Sequence, residues 1–390
     1  RPEAGDLIER HAEAILQAAA EHLPDRRPSF LPYYLDLAVL LIRDHSGDFS
    51  AELLGETPGE LERRFLRSLE RPHFRALQVL ALTLEFDRPL FDFLIGQGFV
   101  AGQASTDFAW LVGEHWSFVS PVGDRPGFHA FHRHMQASLI ASLAPAEETE
   151  RAQEIVLALL DRLAATIAFA RPVDFGLERQ AAYGDAMDLL RAHAAAELLE
   201  AEAAVGWALR LDALLHGVHA TSLRQPALEW TLALANDRLG ADHPHTLTTR
   251  NNLAALTGDA GDPAAARDLF AALLPDYQRV LGADHPDTLT TRNNLAAWTG
   301  DAGDPAAARD LFAALLPDRQ RVLGADHPDT LRTRSNLAHW TGDAGDPVAA
   351  RDLFAALLPD HQRVLGADHP DTLRTRGNLA HWTGQAGDPA

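Results

Sequence analysis

His285-Pro286-Asp287-Thr288-Leu289 recurs as His327-Pro328-Asp329-Thr330-Leu331 and as His369-Pro370-Asp371-Thr372-Leu373, and a variant, His243-Pro244-His245-Thr246-Leu247, stands ahead of them. The starts lie 42 residues apart, and the sequence between them is almost unchanged. Near-identity at a fixed period of this length points to stacked units, none of which can bury its apolar face alone.

Within one unit two helical patterns alternate with breaks. The first, Pro286 to Thr299, carries Leu289, Leu295, Ala296 and Trp298 as its apolar set. Gly300 to Gly303 is expected to end it. The second opens on Asp304-Pro305, because an Asp at the cap accepts orphan N–H groups and proline is tolerated at the first helical position. Its apolar set is Ala308, Leu311, Phe312, Leu315 and Leu316, and Leu323-Gly324-Ala325-Asp326 closes it with a glycine suited to a left-handed cap.

Composition narrows the function classes. The chain of 390 residues carries a net charge of −21, which disfavours nucleic-acid and anionic-membrane surfaces. Residues 243–390 hold 19 Asp and 13 Arg, so most of the excess negative charge falls on the first 242 residues. There is no cysteine, hence no disulfide or thiolate metal site, which fits a reducing, cytoplasmic setting. All 34 basic residues are arginine; without lysine the chain contains neither a P-loop nor a Schiff-base site, and no catalytic set is visible. No apolar run approaches the roughly 20 residues of a membrane helix. The first residue is Arg1 and the last unit is cut short at Ala390, which reads as a fragment of a longer parent.

Asn294-Leu295-Ala296, Gly303, Ala308 and Phe312 fall on the spacing of tetratricopeptide repeats, and the 42-residue unit with HPDTL, TRNNLA and RVLGADHP resembles their kinesin-light-chain subtype. The resemblance covers residues 243–390 and a degenerate unit, 201–242, with Leu211, Leu214, Leu228 and Leu239 in matching places. It implies a right-handed α-solenoid whose first helices line a concave groove for a protein or peptide. The usual late aromatic of the first helix is threonine here (Thr257, Thr299, Thr341, Thr383), and Trp298, Trp340 and Trp382, one residue earlier, are expected to replace its volume.

Four first-helix positions vary between units: Thr248, Thr290, Arg332 and Arg374; Asn251, Asn293, Ser335 and Gly377; Ala255, Ala297, His339 and His381; Asp259, Asp301, Asp343 and Gln385. Steps of three or four place them on one helix face. Neutral drift of solvated positions would produce the same variation. The second helix's outer face, read as barely changing, with few changes such as Tyr277, Arg319 and His361, argues for a ligand-shaped groove instead. By resemblance the groove residues are Asn252, Asn294, Asn336 and Asn378 as peptide clamps, with Arg332, His339, Arg374 and His381 beside them. The arginines and histidines of the last two units point to an acidic or carboxylate-bearing ligand.

The first 200 residues read as helices at Leu7 to Leu23, from Leu31, at Thr57 to Leu69, His73 to Leu84 and Pro89 to Gly96. A β-hairpin is expected from His115–Val119 and Phe128–His132 around the turn at Pro121–Gly127. Helices followed by a hairpin read as a winged helix. The order resembles the regulatory half of STAND-class, NB-ARC-like signalling ATPases, with 1–56 as the helical segment, 57–144 as the winged helix and 145–200 as a helical linker. Leu31-Pro32-Tyr33-Tyr34-Leu35 matches the motif that packs near adenine, and Phe131-His132-Arg133 the Met-His-Asp motif. The resemblance implies Pro32 and His132 as ADP contacts, a nucleotide switch (ADP or ATP) in the parent, and self-oligomerisation on activation. His132 is also readable as an ordinary packed histidine. His129, His132 and His134 lack a neighbouring carboxylate and make a poor zinc set. The rival readings are a free-standing tetratricopeptide adaptor and a winged-helix transcription regulator. No basic recognition helix supports the latter.

Overall fold

The computed structural model describes residues 58–101, 108–109, 111–112, 119–123, 125–143, 146–168, 176–215 and 220–387. The helices expected near Leu7 and Leu31, Pro32 with them, and residues 115–118 of the expected hairpin lie outside these residues. The described chain is mainly helical, with 15 helices and one two-stranded antiparallel sheet. It falls into two compact units, one up to residue 200 and one from residue 201.

The first unit holds α1 (Pro58–Ser68), α2 (Arg71–Ala81), α3 (Arg88–Gly96), β1 (Val119–Pro121), β2 (His129–Phe131), α4 (Arg133–Ala141), α5 (Ala146–Ile167) and α6 (Leu177–Ala195). In α3 the Asp87 carboxylate accepts from Leu90 N at 2.8 Å, and the adjacent Pro89 suits the first turn. The hairpin pairs Val119 with Phe131 and Pro121 with His129, and Phe86, between α2 and α3, bridges His129 as well. Phe86, Phe91, Leu94, Met135, Val156 and Leu160 are completely or almost completely buried. Gln136 Nε2 donates to the carbonyl of Ala81, which lacks a partner at the end of α2, and to that of Thr83 just beyond the helix. His193 Nε2 donates to Leu82 O at 2.7 Å, and burial pushes its pKa down, so the ring stays neutral.

The second unit is a solenoid of helix pairs: α7 (Ala201–Leu214) with α8 (Thr221–Arg238), α9 (Pro244–Asp259) with α10 (Pro263–Leu281), α11 (Pro286–Asp301) with α12 (Pro305–Leu323), α13 (Pro328–Asp343) with α14 (Pro347–Val364), and α15 (Pro370–Gln385). The helix starts follow the expected chemistry. Asp304 accepts from Ala307 N at 3.0 Å, and His285 Nδ1 accepts from Asp287 N at 3.2 Å. Gly324, at φ 95°, ends α12 as only glycine does cheaply.

Two expectations need correction. The first helix does not stop at Thr299 but runs through Gly300 to Asp301, and the turn comes at Gly303 with φ 99°. Gly300 is a contact site rather than a break: the ring of Trp340, one repeat on, lies against it. The tryptophans therefore close the junction between repeats and do not simply fill the space vacated beside Thr299. Secondly, Leu311 is not a core residue. Ala308, Phe312 and Leu315 are fully buried, whereas Leu311 is exposed on the far side of α12, as Leu269 and Leu353 are in their helices.

Candidate protein-interaction surface

The variable first-helix positions divide by depth. Arg332, His339, Arg374 and His381 are exposed, while Asn293 and Ser335 are buried at the ninth position, which was expected to face the groove. Arg332 donates to Asp329 at 2.7 Å and Arg374 to Asp371 at 2.8 Å, each one turn back in its own helix. His339 Nε2 lies 3.6 Å from Asp343, and burial raises the Asp301 pKa against the pull of His339. The rings of His339 and His381 pack beside Trp340 and Trp382, with centroids 4.9 and 4.8 Å apart.

The expected clamp asparagines also divide. Asn252 Nδ2 donates to Asp212 Oδ2 at 3.1 Å, and Asp212 is held by Arg224 through bonds of 2.7 and 3.2 Å. Asn294 Nδ2 reaches Asn251 Oδ1 at 3.5 Å, the limit of a hydrogen bond. These two are occupied within the chain. Asn336 and Asn378 are half-buried, and the corresponding step from Asn336 back to Asn293 is not made: Asn293 Oδ1 is buried without a partner.

Tyr277, Arg319 and His361 are not on an outer face. All three are buried, Arg319 completely, where each second helix meets its neighbouring first helices. Tyr277 bonds Thr248 and Thr291, and burial pushes its hydroxyl up to about 12. Arg319 Nη2 donates to Leu289 O at 3.2 Å and Nη1 lies 3.5 Å from Asp329, but Nε and Nη1 make no hydrogen bond. His361 Nδ1 meets Thr375 Oγ1 at 2.8 Å. Sequence reasoning missed these residues, although Phe270, Leu273 and Tyr277 follow the i, i+3, i+7 spacing of a buried stripe. The surface that does stay polar carries a repeated charge clamp. Arg279 takes Asp242 with two bonds of 2.6 Å and also reaches Asp276, which Arg250 holds from the other side; Arg321 and Arg363 repeat the pattern.

In the first unit, His132 occupies the cap position of α4, half-buried, and its imidazole does not cap the helix. His129 stacks against Phe86. Among the described residues no three His, Asp or Glu converge as a metal site, and no helix is long and apolar enough to cross a membrane.

Residues 251–317 and 301–359 match the family model described as tetratricopeptide repeat. These units are tetratricopeptide repeats. No curated protein matches the chain in sequence. Among solved structures, the nearly identical tetratricopeptide-like repeats of a kinesin-light-chain-type protein of Podosopora anserina share 18% identity over 56% of this chain and 89% of theirs, with a TM-score of 0.32. BtubC from P. vanneervenii shares 19% over 59% of this chain and 92% of its own, at 0.45. A signal-transduction ATPase with numerous domains and a tetratricopeptide repeat sensor, from Pyrococcus horikoshii, shares 12% over 95% of this chain and 68% of its own, at 0.23.

Proposed function

We propose that the tetratricopeptide solenoid binds an extended protein or peptide segment on the face built by α9, α11, α13 and α15. Consecutive first helices approach one another more closely than consecutive second helices do, which favours a surface that curves inward along the first helices. One observation carries the reading: exposed Arg332, His339, Arg374 and His381 share the first helices α13 and α15 with the half-buried Asn336 and Asn378. The amides of Asn336 and Asn378 can bond the backbone N–H and C=O groups of an extended segment. Arg332, Arg374, His339 and His381 add cationic groups to the last two units, which favours a carboxylate-bearing ligand. Selection of peptides from a display library against the protein tests this. Binding that survives Asn336→Ala and Asn378→Ala unchanged would place the ligand elsewhere.

The first unit is read as the regulatory part of a STAND-type ATPase, its winged helix controlling an ADP- or ATP-bound switch outside this chain. The sequence order supports it, as does the strand-like bridge of Phe86 to a hairpin that leads directly into α4 with His132 at the joint. This chain itself is then a cytoplasmic, non-catalytic sensor, and activation would proceed by self-oligomerisation of the parent. In a nucleotide-binding parent, His132→Ala is expected to loosen ADP and raise basal activity. Unchanged ADP retention, or no lysine-bearing phosphate loop ahead of Arg1 in a longer sequence, would leave the free-standing adaptor.

A further inference from the structure

The first unit contains a cavity of about 440 Å³ that neither the peptide face nor the nucleotide reading uses. We propose that this cavity, between the β1–β2 turn, α5 and α6, is a binding site for a small organic cation with an apolar body. Its volume falls in the range of about 300–1,000 Å³ usual for small-molecule sites. Leu90, Phe128, Leu159, Leu163 and Leu189 supply apolar wall. The remaining chemistry is lopsided, with five carboxylates against two guanidinium groups around the space.

The protein already shows how the site treats a cation. Arg125 donates to Glu85 at 2.7 Å and to both oxygens of Asp185 at 3.1 and 3.0 Å, with its guanidinium 4.0 Å over the Phe128 ring. Carboxylates beside an aromatic face are the arrangement that selects ammonium and guanidinium groups. With these bonds made, Arg125 has little left for an anion. Arg162 is likewise turned to the protein, over Phe93 at 4.9 Å. Asp87 is spent capping α3, and Asp188 faces Arg191 at 3.1 Å. Glu178, in the first turn of α6, has no ion-pair partner among the described residues, so it is the carboxylate left for an entering cation. Glu178 is exposed at the rim of the space, so its contribution is that of a surface charge, while the apolar walls take the body of the ligand.

The test is calorimetry on the whole chain at low salt with three amines, tryptamine, phenethylamine and hexylamine, against their carboxylate counterparts indoleacetate, phenylacetate and hexanoate. At least one amine is expected to bind, its carboxylate counterpart not, and the affinity to fall as salt is added. Ala181→Trp and Thr166→Trp fill the space from opposite helices and are each expected to abolish binding while the far-ultraviolet circular dichroism is unchanged. If one of them misfolds, the other serves. Glu178→Gln is expected to weaken binding by about threefold, the ordinary scale of one exposed charge pair. Failure of all three amines to bind, equal binding of the carboxylates, or amine binding that persists in a folded tryptophan variant would overturn the assignment.

Discussion

The ring of Trp340 rests on the bare backbone of Gly300, one repeat earlier: a methyl group at Gly300 would lie 2.4 Å from the ring's Cη2. Trp298 on Gly258 and Trp382 on Gly342 repeat the relationship at the same distance. The glycine is thus matched to the tryptophan of the next unit, and each such pair fixes how closely two first helices approach.

Gly300→Ala should therefore destabilise the solenoid. Trp340 is buried among Leu289, Phe312 and Leu315, so its ring cannot swing aside freely. Overpacking of this kind costs about 1–3 kcal/mol. Gly384→Ala is the control, because nothing lies within 4 Å of the added methyl; there the better helix propensity should stabilise by about 0.5–1 kcal/mol. Denaturant unfolding of the two variants should give opposite signs, and equal signs would remove the close-approach explanation.

Arg319→Tyr should stabilise. The guanidinium is fully buried with two nitrogens unsatisfied, and the corresponding junction one repeat earlier already accommodates Tyr277. Removing a poorly paired buried charge is expected to gain about 1–3 kcal/mol. A fall in the melting temperature would mean that Arg319 is better satisfied than its geometry indicates.

The reverse change of identity shows why sequence reading failed at these positions. The 42-residue period, the Asp and His caps and the closing glycines were legible because each is a local rule applied to adjacent residues. Variation between Tyr277, Arg319 and His361 suggested a solvated face, since arginine and histidine are seldom fully buried. Their spacing from Phe270, Phe312 and Phe354 pointed the other way and proved the better guide. Trp340 on Gly300 and Asn252 on Asp212 join residues about one repeat apart, and no local rule foretells them. Of the expected groove, Arg332, Arg374, His339 and His381 are exposed, whereas the first two asparagines are taken by internal partners.

His361 should make the solenoid acid-sensitive. Burial lowers its pKa from the ordinary 6.5; Asp371 opposes the shift, while Arg334 and Arg374 reinforce it. A histidine whose folded pKa lies below its unfolded value binds fewer protons when folded, so stability should decline as pH falls through about 6.5 and level off below the folded pKa. His361→Tyr should flatten that part of the profile, measured as unfolding free energy between pH 7.5 and 5 by denaturant titration. A profile that keeps the same slope in the variant would assign the sensitivity to other groups.

Arg224→Met should be among the most damaging single changes. It would strip Asp212, which is 2% exposed, of its bidentate partner and leave it the single hydrogen bond from Asn252. Breaking one half of a buried pair costs about 3–5 kcal/mol. Arg224→Met with Asp212→Leu should recover much of that loss. A single variant as stable as the parent would show the pair to be solvated.

Peptide selection from a display library, followed by affinity measurement against the protein and against Arg332→Thr with Arg374→Thr, tests the binding face most directly. The double change restores what Thr248 and Thr290 carry in the first two units, and both arginines lie outside the core. Because Asp329 and Asp371 already share these guanidinium groups, the loss should be modest, about fivefold to tenfold at low salt, and should shrink as salt rises. The expected result is a set of carboxylate-bearing peptides that lose affinity in the variant. Peptides without acidic groups, or equal affinity for both proteins at low salt, would contradict a ligand held on the first-helix face of the last two repeats.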